Sequence, residues 1–237
     1  MNPNDPNLKL VEEVAAALGP LLERVVLVGG AAAGFLITDP GQPRIRATDD
    51  VDVIVAAVSL TGYYDMEREI EALGFKHDKS EGAPICRWIV GSARLDLMPA
   101  NDEVLGFANK WYHYALQHAW PVVLPNGVTV RVIDGPAFVA TKLEAFEGRG
   151  AGDYRASHDV EDIVAVIDGR SELISEIQIA PAEMRDFLAA RINALLGERR
   201  FMEALSGHLP PDAASQARLP GLEVSLRAIA ALGKSSS

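Results

Sequence analysis

Three aspartates have the residue type and spacing to hold a cation. Asp50 and Asp52 stand two apart at the start of an apolar run, and alternate strand residues point to the same face of a sheet. Asp96 lies in a second strand-like run, and it would join them if its strand paired beside the first. Converging carboxylates repel one another and lose hydration unless a cation compensates. Hard oxygen ligands of this kind suit Mg²⁺ or Mn²⁺.

A double glycine upstream supplies a second chemical feature. The apolar run at residues 25–28 ends at Gly29-Gly30, a pattern that predicts a buried strand turning sharply into a helix through Leu36. Glycine allows the backbone N–H groups of such a turn, with the helix N-terminus, to approach a phosphate closely. Paired metals on nearby acids can hold a triphosphate, activate a hydroxyl and stabilise the leaving pyrophosphate. These residues predict metal-dependent phosphoryl transfer from an NTP.

Together these segments resemble the nucleotidyltransferase superfamily that includes DNA polymerase β, in which a strand ending in Gly-Gly or Gly-Ser precedes an acidic-apolar-acidic strand. More narrowly, the chain looks like the AbiEii-type branch, the toxins of type IV toxin–antitoxin systems and their uncharacterised relatives. The resemblance covers residues 25 to about 165 and is carried by Val28-Gly29-Gly30-Ala31-Ala32, Arg46-Ala47-Thr48-Asp49-Asp50-Val51-Asp52, Asp96, Lys142-Leu143-Glu144-Ala145 with Arg149, and His158-Asp159-Val160-Glu161-Asp162-Ile163.

The resemblance implies roles for individual residues. Asp50, Asp52 and Asp96 would be metal ligands, with Asp96 also the general base for the acceptor hydroxyl. Lys142 would neutralise the triphosphate, and Asp159 would belong to the nucleotide site. The branch further implies tRNA 3′ ends as acceptors and an antitoxin protein as a partner.

Two further residues precede the acidic strand. Arg46 and Thr48 are placed where they could contact phosphate, although both positions are also those of ordinary turn residues. Asp49 points away from the pair and is expected to be a cap or turn residue.

The helical positions also have purely structural interpretations. Lys142 could lie on a solvated cationic face of an amphipathic helix. Asp159 follows a Ser157 cap in a first helical turn, where the helix dipole favours acids in any case.

The predicted fold class is mixed α/β with flanking helices, followed by a helical C-terminal domain. Residues 85–90 and 93–98 form a predicted hairpin around Gly91-Ser92, and Pro125-Asn126-Gly127 marks a second. After Asp134 the pattern is helical, over 136–147, 158–168, 172–178, 182–196 and 199–207. We therefore predict a nucleotidyltransferase-like domain at 1–134 and a helical domain at 135–237 that closes the nucleotide cleft.

Composition limits the classes of partner. The apolar fraction of 49% is typical of a globular protein, and no apolar run is long enough to span a bilayer. With no signal-peptide pattern at the start, the expected location is the cytoplasm. The net charge of −11 argues against a broad basic surface, so an RNA partner would need a local basic patch. Cys86, the one cysteine, is expected to be a small buried thiol.

Other functions remain open. The fold could persist as a non-catalytic toxin–antitoxin or regulatory binding module, and the acids do not specify whether the acceptor is RNA, a small molecule or a protein. A dinucleotide-binding site is disfavoured because Ala31 stands where the fingerprint needs its second glycine.

Overall fold

The structure is a computed structural model that describes residues 5–41, 45–56, 59–150 and 152–233, without the side chains of 149 and 150. The chain forms two compact units. Among the described residues, those from Asp5 to Phe35 and from Arg46 to Asp134 form the sheet unit. Leu36–Ile45 and the chain from Gly135 onward form the helical unit.

Within the described ranges, seven strands form one mixed sheet in the order β3-β4-β5-β2-β1-β7-β6. They are β1 Val25–Val28, β2 Asp50–Val55, β3 Lys76–His77, β4 Arg87–Val90, β5 Ala93–Pro99, β6 Trp120–Val123 and β7 Thr129–Val132. β2 runs antiparallel to β1 and parallel to β5. Because a dinucleotide-binding unit needs its first two strands parallel, the antiparallel pair excludes that fold.

The α-helices of the sheet unit, as far as its residues are described, are α1 Leu8–Leu18, α2 Gly29–Leu36, α3 Leu60–Ala72, α4 Asp102–Leu105 and α5 Tyr112–His118. The α1 residues Val11 and Val14 line a cavity of about 20 Å³ together with Val51 and Val53 of β2. That apolar packing covers one face of β2. Asp50 and Asp52, which alternate with these valines, therefore lie on the opposite face.

Both predicted hairpins are confirmed. β4 and β5 pair with Val90 opposite Ala93, around Gly91-Ser92, and β6 and β7 pair around the Asn126-Gly127 turn. The predicted strand at 51–58 begins one residue earlier and its described part ends at Val55; residues 57 and 58 lie outside the described residues.

The helical unit contains α6 Gly135–Ala145, α7 His158–Gly169, α8 Leu173–Ile179, α9 Ala182–Gly197, α10 Arg199–Ala204, α11 Ala213–Gln216 and α12 Leu219–Ala230. Ser157 caps α7 as expected, its hydroxyl accepting from Val160 N. The sequence pattern does not predict α12, because Pro220 and Gly221 interrupt it. Proline is tolerated there because it lies in the first helical turn.

The predicted fold class, a mixed α/β unit with flanking helices and a helical C-terminal region, is confirmed. Among the described residues, none of the helices has the length and apolar character required to traverse a bilayer.

Candidate active site

Strand pairing brings the three predicted acids together. β2 and β5 are neighbours in parallel register, with Asp52 paired to Asp96 and Asp50 to Arg94. Asp50 and Asp52 are half-buried, whereas Val51 and Val53 between and after them are buried. The alternation expected from the sequence is therefore present, and Asp96 joins the pair across the sheet.

An arginine that the sequence analysis missed lies among these acids. Arg87 of β4 is paired with Asp96, and its Nε donates to Asp96 Oδ1 at 2.7 Å. Its Nη2 donates to Asp96 Oδ2 at 2.7 Å and to Asp50 Oδ2 at 2.6 Å. The hydrogen bonds to Asp96 raise the pKa of Arg87 above its ordinary value, against the opposing effect of burial. The guanidinium is therefore a permanent cation between two carboxylates.

The hairpin contains the signal for this residue. A two-residue loop at Gly91-Ser92 pairs Val90 with Ala93, and continuing that register along both strands places Arg87 opposite Asp96. Counting back from the turn is therefore sufficient to identify Arg87 as the neighbour of Asp96.

Gly29 brings the backbone into direct contact with Asp52. Its φ of +64° is a left-handed conformation that side chains rarely adopt. A Cβ atom placed on Gly29 would overlap the Asp52 carboxylate. α2 begins at this residue, so the predicted turn from strand to helix is present, and Gly30 is buried within its first turn.

A buried asparagine that sequence reasoning also missed holds the segment before β2. Asn7 Nδ2 donates to Arg46 O at 3.0 Å, and Asn7 Oδ1 accepts from Thr48 N at 2.8 Å. Thr48 Oγ1 in turn donates to Asp50 Oδ1 at 2.9 Å. Arg46 and Thr48 thus help to position Asp50, while their predicted phosphate contacts stay predictions.

Lys142 and Asp159 lie together in the helical unit. Lys142 Nζ is 3.2 Å from Asp159 Oδ1 and 2.7 Å from Asp162 Oδ2, and the three residues are only 7%, 5% and 2% exposed. The solvated-face interpretation of Lys142 is wrong, because α6 is buried from Gly135 to Leu143. Contact of Lys142 or Asp159 with a nucleotide stays a prediction, and the side chain of Arg149 lies outside the described residues.

Cys86 is a buried thiol, as expected, and is 3% exposed. Burial and the nearby Asp96 raise the pKa of the thiol to about 12. The neutral thiol therefore adds no charge beside the acids.

The chemistry of the donor set fits a divalent cation, although the side chains are not arranged as a finished metal site. Within the described ranges, no group of three or more His, Cys, Asp or Glu side chains is placed to hold a metal ion. Yet Asp50 and Asp96 each direct one oxygen to the same nitrogen, Arg87 Nη2. Two carboxylates that converge on one cationic position, with Asp52 in register beside them, are the donors that Mg²⁺ or Mn²⁺ prefers.

No protein-family model matches the chain, and no curated protein matches it. Among solved structures it is similar to the crystal structure of ANT(2″)-Ia in complex with adenylyl-2″-tobramycin. The two are 17% identical, the TM-score is 0.46, and the match covers 79% of this chain and 97% of that chain.

Proposed function

We propose that this protein is a metal-dependent nucleotidyltransferase that transfers NMP from an NTP to a hydroxyl acceptor and releases pyrophosphate. The observation that carries the proposal is the convergence of Asp50 and Asp96 on one cationic position, with Asp52 in register beside Asp96. The Gly29 turn adjoins Asp52, so a phosphate-binding backbone would lie next to the acids.

Different residues of the chain would bind the metal, accept the proton and bind the phosphate. Asp50, Asp52 and Asp96 would hold Mg²⁺ or Mn²⁺, which when bound polarises the phosphate and stabilises the departing pyrophosphate. Asp96 accepts the proton of the acceptor hydroxyl, the part expected of a general base on the acceptor side. The N–H groups at Gly29-Gly30, where α2 begins, would face the phosphate charge.

Lys142 and Asp159 have a supporting part in the proposal. A triphosphate contact by Lys142 would require the ammonium group to exchange its carboxylate partners, Asp159 and Asp162, for phosphate oxygens. Phosphate binding and the internal ion pair are then alternative states of one ammonium group.

The proposed acceptor is a hydroxyl group, and the molecule that carries it is not specified by the acids. A tRNA 3′ hydroxyl is the acceptor that the AbiEii resemblance implies, with an antitoxin as a protein partner. The net charge of −11 means that any RNA must be held locally rather than by the whole surface. The same acids would serve for transfer to a hydroxyl of a small molecule or of a protein.

A transfer assay tests the proposal. Each labelled NTP is supplied with Mg²⁺, alone and with total tRNA, and wild type is compared with Asp52→Asn. The proposal expects label in an acceptor or in the protein itself, and a loss of at least about a hundredfold in the variant. Asp49→Asn is the matched control, because Asp49 is exposed beside the acidic pair.

A second candidate is a non-catalytic binding module. It is favoured by Arg87, which already neutralises Asp50 and Asp96 as a structural ion pair would. Absence of transfer with every NTP, together with no Mg²⁺-dependent NTP binding by equilibrium dialysis, would establish this candidate in place of the transferase.

A further inference from the structure

Every carboxylate oxygen of Asp50 and Asp96 is already engaged. Asp50 Oδ1 accepts from Thr48 Oγ1 and Asp50 Oδ2 from Arg87 Nη2. Both Asp96 oxygens accept from Arg87, one from Nε and one from Nη2. A cation that binds both residues at the point where these oxygens converge must displace Arg87 Nη2 from it.

Burial makes this competition strong. The side chains of Arg87, Asp50 and Asp96 are 16%, 26% and 10% exposed, so solvent screens their charges only in part. Removing one partner from such a cluster leaves uncompensated charge. The guanidinium carries one positive charge against several carboxylates, whereas a divalent cation carries two.

We propose that Arg87 is a positioning residue that serves as a resident counter-ion: it holds Asp50 and Asp96 in place in the metal-free protein and yields them to the divalent cation. This inference rests on the proposed function, because it concerns the same acids. It adds that free metal binds weakly until the competing guanidinium is displaced.

A purely structural role for Arg87 makes the opposite prediction. If Arg87 only held β4 to β5 and kept the acids in place, its removal would loosen the carboxylates and weaken metal binding. If Arg87 competes with the metal, its removal strengthens metal binding even though the protein becomes less stable. The sign of the change in metal affinity distinguishes the two roles.

The full chain is titrated with Mn²⁺ in the absence of nucleotide. Binding is measured by calorimetry and by the electron paramagnetic resonance signal of free Mn²⁺. Arg87→Met keeps much of the side-chain length and removes the charge and the donors. We expect it to bind Mn²⁺ about tenfold more tightly than wild type or better. Unchanged or weaker binding would overturn the proposal.

Arg94→Met is the matched control. Arg94 is exposed and lies on β5 two residues before Asp96, paired with Asp50. Among the contacts of the described residues it makes no hydrogen bond or ion pair to the acids, so it supplies charge on the same strand without occupying a carboxylate. An equal gain in Mn²⁺ affinity in Arg94→Met would show a general charge effect and would also overturn the proposal.

Arg87→Lys keeps the inference testable if Arg87→Met does not fold, as judged by circular dichroism. Lysine retains the charge but lacks the planar fork that contacts both carboxylates at once. We expect Arg87→Lys to bind Mn²⁺ more tightly than wild type, and an affinity no higher than that of wild type would reject displacement.

The metal titration and the transfer assay fail independently. Tighter Mn²⁺ binding in Arg87→Met with no nucleotide transfer would retain the counter-ion role and reject the transferase. Transfer by wild type with no gain in Mn²⁺ affinity in Arg87→Met would do the reverse.

Discussion

At the scale of single residues, close packing around the acids leaves little freedom of substitution. Gly29 combines a positive φ with a carboxylate against its Cα, so two separate constraints exclude a side chain. Asn7 satisfies one backbone donor and one backbone acceptor of the segment before β2. A buried amide with both groups paired positions a loop more firmly than an apolar side chain would.

Gly29→Ala should be markedly destabilising and should abolish transfer. The left-handed conformation alone makes a non-glycine residue less stable by about 1–2 kcal/mol, and the new methyl group must also displace the Asp52 carboxylate. Gly106→Ala is the matched control, because Gly106 has a left-handed φ of +78° with nothing within 4 Å of an added Cβ. Urea unfolding should show the larger loss for Gly29→Ala, and equal losses would mean that Asp52 does not press on Gly29.

At the scale of elements, two sets of packed strands or helices each shield a cluster of charged side chains from water. The β4–β5 hairpin presents Arg87 to the acids of β2 and β5, and α6 presents Lys142 to Asp159 and Asp162 of α7. In each case one cation faces two carboxylates, so the loss of the cation leaves more uncompensated charge than the loss of either acid.

Lys142→Met should therefore destabilise the protein by about 3–5 kcal/mol, the range for breaking a buried ion pair from one side. Adding Asp162→Asn to Lys142→Met should recover part of that loss, because it removes one of the two buried charges. Chemical unfolding measures both changes.

Lys9→Met is the control for losing a lysine, since Lys9 is exposed on α1, and its effect should stay within about 0.5 kcal/mol. A similarly small change for Lys142→Met would mean that the buried pair contributes nothing to stability.

At the scale of the whole molecule, one segment belongs to a different unit from the residues that flank it in sequence. Leu36–Ile45 is part of the helical unit, although the residues on both sides of it are part of the sheet unit. Thr38 N and Asp39 N both donate to Gly169 O at 2.9 Å. Arg218 holds the same segment through Asp39 Oδ2 at 2.7 Å and pairs with Asp168 Oδ2 at 2.7 Å.

This arrangement predicts a pH dependence of stability. The hydrogen bond from Arg218 holds the pKa of Asp39 below its ordinary value of 3.8. A carboxyl whose pKa is lower when folded contributes stability above its unfolded pKa and loses it as the pH falls through the folded pKa. The difference in unfolding free energy between wild type and Arg218→Met should therefore be steady above about pH 5 and shrink below about pH 4.

Urea unfolding of wild type and Arg218→Met measures this difference in unfolding free energy. A range of about pH 2 to 7 covers the titration of carboxyl groups. Arg227→Met is the control on α12, the helix that begins directly after Arg218, since the contact of Arg227 with Glu223 is 3.9 Å long and the Arg227 side chain is exposed; it should show no such trend. A difference for Arg218→Met that stays constant down to pH about 3 would contradict the role given to Asp39.

Features that depend on local periodicity and turn chemistry could be predicted from the sequence. The alternation of Asp50 and Asp52 with buried valines, the hairpin at Gly91-Ser92 and the capped α7 all follow from residues close together in the chain. The sequence left open whether the strand of Asp96 pairs beside β2. The structure shows that it does.

The long-range side-chain contacts depend on the tertiary structure. Arg87 contacts Asp50 across the sheet, Asn7 contacts Thr48 from before α1, and Lys142 pairs with Asp159 of α7. No local pattern specifies these contacts, because each depends on which segments pack together and on how far a side chain reaches once they do. The positions of the acids could therefore be predicted from the sequence, whereas the contact of one cation with both Asp50 and Asp96 is decided only when the strands assemble.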